Sequence, residues 1–241
     1  MIDTIKKQIA ISEEVRNSIR LIEIGLGNLQ RIDGANDFYH ATFLTLSSGF
    51  ERLMKTIICF YKYEEEGKYP TISYFKKKGK GHDLVFLLEK ITKDCFNVEY
   101  LKEVPAARKD ILFLREDEQL LETVEILTSF GLSTRYYNLN IVLGENSVHS
   151  SPEQQWKKLE LLILESEKKY SDLMQNKIKL NEAYLIITKN FVIRLEKFVR
   201  GLVRLFTLGG LGKEAKRNTG YIKPFLNLMD RDLGKRKYPT Y

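Results

Sequence analysis

The sequence predicts an all-α protein, and three observations carry that reading. The five prolines, at 70, 105, 152, 224 and 239, all fall between apolar-periodic stretches. Helices filling the space between them would produce this spacing, because proline removes an amide donor and clashes inside a helix. Phe38, Phe43, Leu46, Phe50, Leu53, Met54, Ile57, Phe60 and Tyr61 share one broad face at helical spacing. An apolar fraction of 43% with 13 Tyr and 13 Phe in 241 residues excludes a disordered chain and suffices for one large domain or a domain with a helical appendage.

Asp3 or Thr4 can cap a first helix running to about Gln30, with Ile5, Ile9, Val15, Ile19, Ile22 and Leu26 as its core stripe and the turn at Asp33 and Gly34 ending it. The central helix over 38–63 follows. Its small Ser47, Ser48 and Gly49 admit a close neighbour, and Glu51 and Lys55 pair on its narrow polar side. Its apolar face exceeds half the circumference, more than one small bundle covers, so a homodimer is expected. A Gly- and Lys-rich loop leads to a short helix with Leu84, Leu87, Leu88 and Ile91 on one side and Asp83 or His82 as its cap. A fourth helix is expected over Arg108–Phe130 with Ile111, Leu112, Leu114, Leu121, Val124 and Leu127 inward.

Residues 132–151 mix turn and β-branched residues and read as a loop that can include a small hairpin. Ser151, Pro152 and Gln154 then form the best-marked helix start in the chain, a capping box with a preformed first turn. Heptad-like spacing continues from Trp156 to Phe191. One helix to Leu208 would reach about 85 Å, so two antiparallel helices broken between Met174 and Asn181 are expected. After the GGLG turn at 209–212 come a short helix and a basic tail. The organisation is thus a bundle over 1–140, a loop over 141–151 and a helical hairpin with basic tail over 152–241, either separate or packed as one domain.

The net charge of +7 is unevenly placed. Residues 191–241 hold 12 Lys and Arg against 4 Asp and Glu, a net of +8, which leaves −1 for the first 190 residues. On a helical wheel Arg194, Lys197, Arg200 and Arg204 occupy one arc opposite Phe191, Leu195, Phe198, Val199, Leu202 and Phe206, so the charges are expected to point outward. Lys213, Lys216, Arg217, Lys235, Arg236 and Lys237 extend the same sign. This face reads either as a nucleic-acid backbone footprint, with an acidic partner protein behind it as a further option, or as a solvated surface.

No glycine-rich phosphate loop, zincin motif, nucleophile elbow or paired CxxC is present. The GGLG stretch ends a helix instead of opening one after a strand, so it reads as a cap and turn. His40, His82 and His149 are too scattered to propose a metal site, and no cofactor is expected. Cys59 and Cys95 read as reduced packing residues. A polar Met1–Gln8 segment opening into a helical pattern suggests no signal peptide, and no apolar run of about eighteen residues exists to span a bilayer, so a cytoplasmic, non-membrane protein is expected.

The words SSGFERLMKTII, then GHDL opening a short helix after a Gly-rich loop, then LSTRYYNLN after a further helix together resemble the HEPN-like helical domains of prokaryotic defence, toxin and nucleotidyltransferase-associated proteins, over roughly residues 5–140. The resemblance implies an up-and-down helical bundle that dimerises. Active members cut RNA with an Arg followed four to six residues later by a His. No Arg precedes His40, His82 or His149 at that distance, so the nuclease site does not transfer. What carries over by position is Glu51 with Lys55, His82 with Asp83, and Arg135 with Tyr136.

His82, Arg135 and Glu51 are therefore the candidate catalytic residues. His82 can serve as an acid or base or bond at a helix start, and Arg135 can clamp a phosphate or tie down carbonyls and rings. The expected function is an atypical or inactive HEPN-like protein of a prokaryotic defence or stress system, binding RNA or another nucleic acid through its basic C-terminal face. The alternatives are a protein-interaction scaffold and a ribonuclease using residues outside the motif.

Overall fold

Two helices of 28 residues each set the frame, α1 (Ile2–Leu29) and α2 (Tyr39–Glu66). They run antiparallel, with Gly25 against Leu46, Ile22 against Gly49, and Glu14 paired with Arg52 across the seam. A Cβ on Gly49 would stand 3.0 Å from the Ile22 amide nitrogen, so this small residue does admit a neighbouring backbone. Asp33 ties the turn between the helices, its Oδ1 accepting the amides of Ala35 and Asn36 at 2.8 Å.

A computed structural model describes residues 2–76, 81–96, 103–132, 136–144, 151–166, 180–208 and 210–240, and among these all regular structure is helical. After α2 come α3 (Ile72–Lys76), α4 (Leu84–Lys90) running into a π-helical turn at Ile91–Cys95, α5 (Pro105–Glu116), α6 (Glu118–Leu132) and α7 (Tyr137–Val142). They are followed by α8 (Pro152–Ser166), α9 (Leu180–Arg204), α10 (Gly212–Lys216), α11 (Thr219–Leu226) and a 3-10 turn at Asp230–Asp232. No helix among the described residues is long and apolar enough to cross a membrane.

The aromatic stripe of α2 organises the core. Phe50 stacks on Phe198 of α9 at 4.4 Å, Phe43 meets Trp156 of α8 at 5.1 Å, and Phe60 meets Phe206 edge-on at 5.7 Å. Trp156 in turn stacks on Phe191 at 4.1 Å. One straight helix would hold those two rings about 52 Å apart, so α8 and α9 lie side by side. The expected break at 174–181 otherwise falls outside the described residues. Buried side chains from 1–140 and 152–241 form one continuous cluster, so the two parts share a core. α2 buries Phe43, Leu46, Phe50, Leu53, Met54 and Ile57 against its own chain, so those side chains are not available to a partner copy.

Local signals hold where they are strongest. The Ser151 hydroxyl accepts the Gln154 amide and the Gln154 side chain accepts the Ser151 amide, both at 3.1 Å, which is the expected capping box. Asp83 caps α4 through the Phe86 amide at 2.9 Å.

Other expectations need correction. The single helix over 108–130 is two, because Asp117 adopts an extended ψ of 101° that ends α5, while its Oδ1 accepts the Leu120 amide at 2.8 Å and starts α6. Leu112 on the first of them is 43% exposed. No hairpin forms in the described part of 132–151, where α7 stands instead. Ile5 and Ile9 lie 51% and 60% exposed, outside the core stripe. A straight helix drifts about 20° per heptad, so an apolar row aligned with Ile22 and Leu26 has rotated off the core by the first turns. Phe38, at the helix start, is also exposed.

Candidate functional site

The basic arc of the C-terminal helix is largely internal, contrary to the expectation of an outward stripe. Arg200 is 4% exposed, its Nη1 donating to the Leu228 carbonyl at 3.1 Å and its Nη2 pairing with Asp230 at 2.7 Å. Arg204 Nη1 bridges both oxygens of Asp110 at 2.8 and 2.9 Å. Arg194 bonds Asp117 through Nε and Asn190 through Nη1, each at 2.8 Å. Lys197 is half-buried, with Nζ 5.7 Å from the Phe113 ring centre. The wheel is right about the apolar face. Its opposite side, however, is covered by α5 and the 230–232 turn, which bring Asp110, Asp117 and Asp230 against the arginines. Burial pushes the Asp110 carboxyl above the usual range despite the Arg204 guanidinium.

The remaining cations named from sequence divide differently. Lys213, Lys216 and Arg217 are exposed around α10, with Arg217 pairing Glu214 at 2.8 Å. Lys235, Arg236 and Lys237 belong to a strap, residues 233–240, that lies across α1 and α9 and does not extend as a free basic tail. Glu196 of α9, fully buried, is its anchor. One carboxylate oxygen accepts the Gly234 amide at 2.6 Å and the other the Tyr238 hydroxyl at 2.7 Å. Burial raises the Glu196 carboxyl above the usual range, while those two hydrogen bonds and the charges of Arg236 and Arg200 pull it down.

On the α1 side, Gln30 holds the strap twice, accepting the Tyr238 amide at 3.0 Å and donating to the Arg236 carbonyl at 2.7 Å. Arg236 reaches Glu23 at 3.1 Å and the Pro224 carbonyl at 3.0 Å. The strap passes so close that a Cβ on Gly27 would stand 2.0 Å from the Pro239 carbonyl oxygen, a contact that glycine alone permits.

Beside the strap is a groove of about 480 Å³ whose charged lining is Arg31, Lys189, Lys235, Arg236 and Lys237, with no Asp or Glu. Arg31, Lys189, Lys235 and Lys237 are exposed, and among the described residues none of them has an ion pair. Arg31 and Lys189 were not among the residues singled out from sequence. Arg31 lies in the turn after α1 and Lys189 on α9, and only the docking of the strap gathers them.

A second site lies between α1 and α2, a cleft of about 760 Å³. It unites two candidates that are 31 positions apart in sequence. His82 Nδ1 faces the Glu51 carboxylate at 3.0 and 3.1 Å, and Lys55 Nζ sits 2.6 Å from the same group. A carboxylate can only accept, so Nδ1 is the donor and Nε2 of the neutral ring keeps its lone pair, available to take a proton. Arg135, the third candidate, lies outside the described residues. Cys59 also lines the cleft, with its thiol pushed up to about 12 by burial, so it does not supply a thiolate. Among the described residues no group of three or more His, Cys, Asp or Glu is placed to hold a metal ion. No protein-family model, characterised protein or solved structure matches the chain.

Proposed function

We propose that this chain binds RNA or another nucleic acid through the groove beside its C-terminal strap, as an atypical or inactive HEPN-like protein of a prokaryotic defence or stress system. The defence setting rests on the sequence resemblance alone. The observation that supports binding is a groove lined by five cations and no acid, four of them, Arg31, Lys189, Lys235 and Lys237, without an ion pair among the described residues. Like charges gathered on one surface repel one another and concentrate counterions, and a phosphate backbone releases those ions when it binds. A cytoplasmic setting accords with the two free thiols, Cys59 and Cys95.

The test is fluorescence anisotropy of a labelled single-stranded oligoribonucleotide across a salt series. With about four phosphates contacted, log K should fall with log salt at a slope near −3. The double variant Arg31→Glu with Lys237→Glu should abolish binding, whereas Lys213→Glu should weaken it only slightly. Binding that ignores salt or survives the double variant sinks the reading.

The Glu51–His82 contact favours a second reading, cleavage of RNA by residues outside the family motif. RNA cleavage that His82→Ala abolishes would support it. A third reading, a scaffold or homodimer, is favoured by Leu139, Ile141, Val142 and Leu143, all at least 50% exposed on or beside α7. Light scattering at micromolar concentration would test it.

A further inference from the structure

We propose that the cleft between α1 and α2 is a binding site for a small aromatic anion, a molecule with a flat ring body and one negatively charged group. The inference is independent of the nucleic-acid groove, which lies along α9 and the strap.

The cleft volume of about 760 Å³ is that of a small-molecule site. Its floor is one face of α2 from Leu44 to Cys59, about 22 Å of helix. Three rings line it, Tyr69, Phe75 and Phe130, together with the short side chains of Ala10, Ser47 and Ser48. Rings alongside short side chains leave space for a flat apolar body and provide faces for it to pack on. Two of the rings are held in place, Tyr69 by stacking on Tyr63 at 4.6 Å and Phe75 by Lys55 Nζ at 5.8 Å from its centre. The Tyr69 hydroxyl is buried without a hydrogen-bond partner, so a polar ligand atom would satisfy it.

The charges decide the sign of the ligand. The lining holds Lys7, Arg52 and Lys55 against Glu14 and Glu51. Both acids are already engaged, Glu51 by Lys55 and His82 and Glu14 by Arg52 Nη1 at 2.6 Å. A cationic ligand would therefore meet no open carboxylate. An anionic group meets Arg52, whose guanidinium has donors beyond the one given to Glu14.

The test uses anilinonaphthalene sulfonate as the probe and N-phenylnaphthylamine, the same ring system without the sulfonate, as comparator, titrated into the full chain and read by fluorescence. The sulfonate should bind one per chain and saturably, about tenfold tighter than the neutral analogue. Ser48→Phe, which fills the floor, should weaken it by at least about tenfold. Arg52→Gln on the exposed rim should weaken the sulfonate while leaving the neutral analogue unchanged. Lys235→Glu with Lys237→Glu should leave both probes unaffected, so that loss of RNA binding and loss of probe binding are separable. Equal affinity for the two probes overturns the proposal, as does full binding by a Ser48→Phe variant with native circular dichroism and melting. Should Ser48→Phe fail to fold, the Arg52→Gln comparison decides alone.

Discussion

The Tyr238 hydroxyl donates to the buried Glu196 carboxylate at 2.7 Å, fastening the end of the chain to the middle of α9. Both groups lie in the interior, so the bond is shielded from competing water. Tyr238→Phe keeps the ring that stacks on Phe225 at 5.9 Å and removes only the donor. A hydrogen bond to a charged group contributes about 1.5–3 kcal/mol, and chemical denaturation should report a loss of that size. A loss below about 0.5 kcal/mol would show that the strap is held by its apolar contacts alone.

Stability should rise as pH falls from neutral into the weakly acidic range. Glu196, Glu160 and Asp110 all have carboxyls raised above their usual values, with burial as the leading cause. A raised acid binds its proton more tightly in the folded state. Its contribution is therefore fully present below the unfolded value and is lost as pH rises through the folded one. Asp230 acts in the opposite direction, since hydrogen bonds from Arg200 and Lys109 lower its carboxyl, and its contribution disappears in stronger acid. Melting temperature against pH should show a maximum on the acid side of neutrality, and Glu196→Gln should flatten the neutral limb. A melting temperature that falls steadily from about pH 7 to about pH 5 would contradict this assignment.

Gly27→Ala should free the strap without disturbing the helical core. The new methyl carbon would stand 2.0 Å from the Pro239 carbonyl oxygen, and backbone there has no soft side chain to yield. Trypsin should then cut at Lys235, Arg236 or Lys237 well before the remainder of the chain, while far-ultraviolet circular dichroism stays unchanged. An unaltered cleavage rate would place the strap's hold elsewhere.

Asp117 does two things with one carboxylate, capping α6 and pairing with Arg194. Asn caps about as well as Asp but carries no charge. Asp117→Asn should therefore cost about 1 kcal/mol and Asp117→Ala about 2–3 kcal/mol. Equal losses in the two variants would mean that the cap is not contributing.

Arg204→Ala should cost about 3–5 kcal/mol, because it strands the buried Asp110 carboxylate without a partner. Lys213→Ala, at an exposed cation, should stay within about 0.5 kcal/mol. A comparable loss at both positions would contradict the burial of the Arg204–Asp110 pair.

Much of the fold is legible from residue spacing. The α2 stripe from Phe43 to Phe60, the cap at Asp83 and the box at Ser151 and Gln154 are local patterns, and each is found where its chemistry places it. The break at Asp117 also had a local signal, an Asp before an acidic first turn, but the apolar row running through it suggested continuity. The candidate site was less legible. Glu51 and His82 were singled out separately, and nothing in the intervening chain says that they touch.

By itself the sequence determined the helical class, the apolar faces that form the core, and the concentration of positive charge in the last 51 residues. The tertiary structure alone decided which of those charges face water. Arg200 and Arg204 read as solvent-facing until Asp230 and Asp110 arrive from distant elements, while Lys235 and Lys237 read as tail residues until Glu196 and Gln30 dock the strap beside Arg31 and Lys189. Helical periodicity is a short-range property that separates apolar from polar faces within a few turns. Whether a cation on the polar face is solvated or neutralised depends on an acid brought in from far along the chain, and no local repeat carries that information.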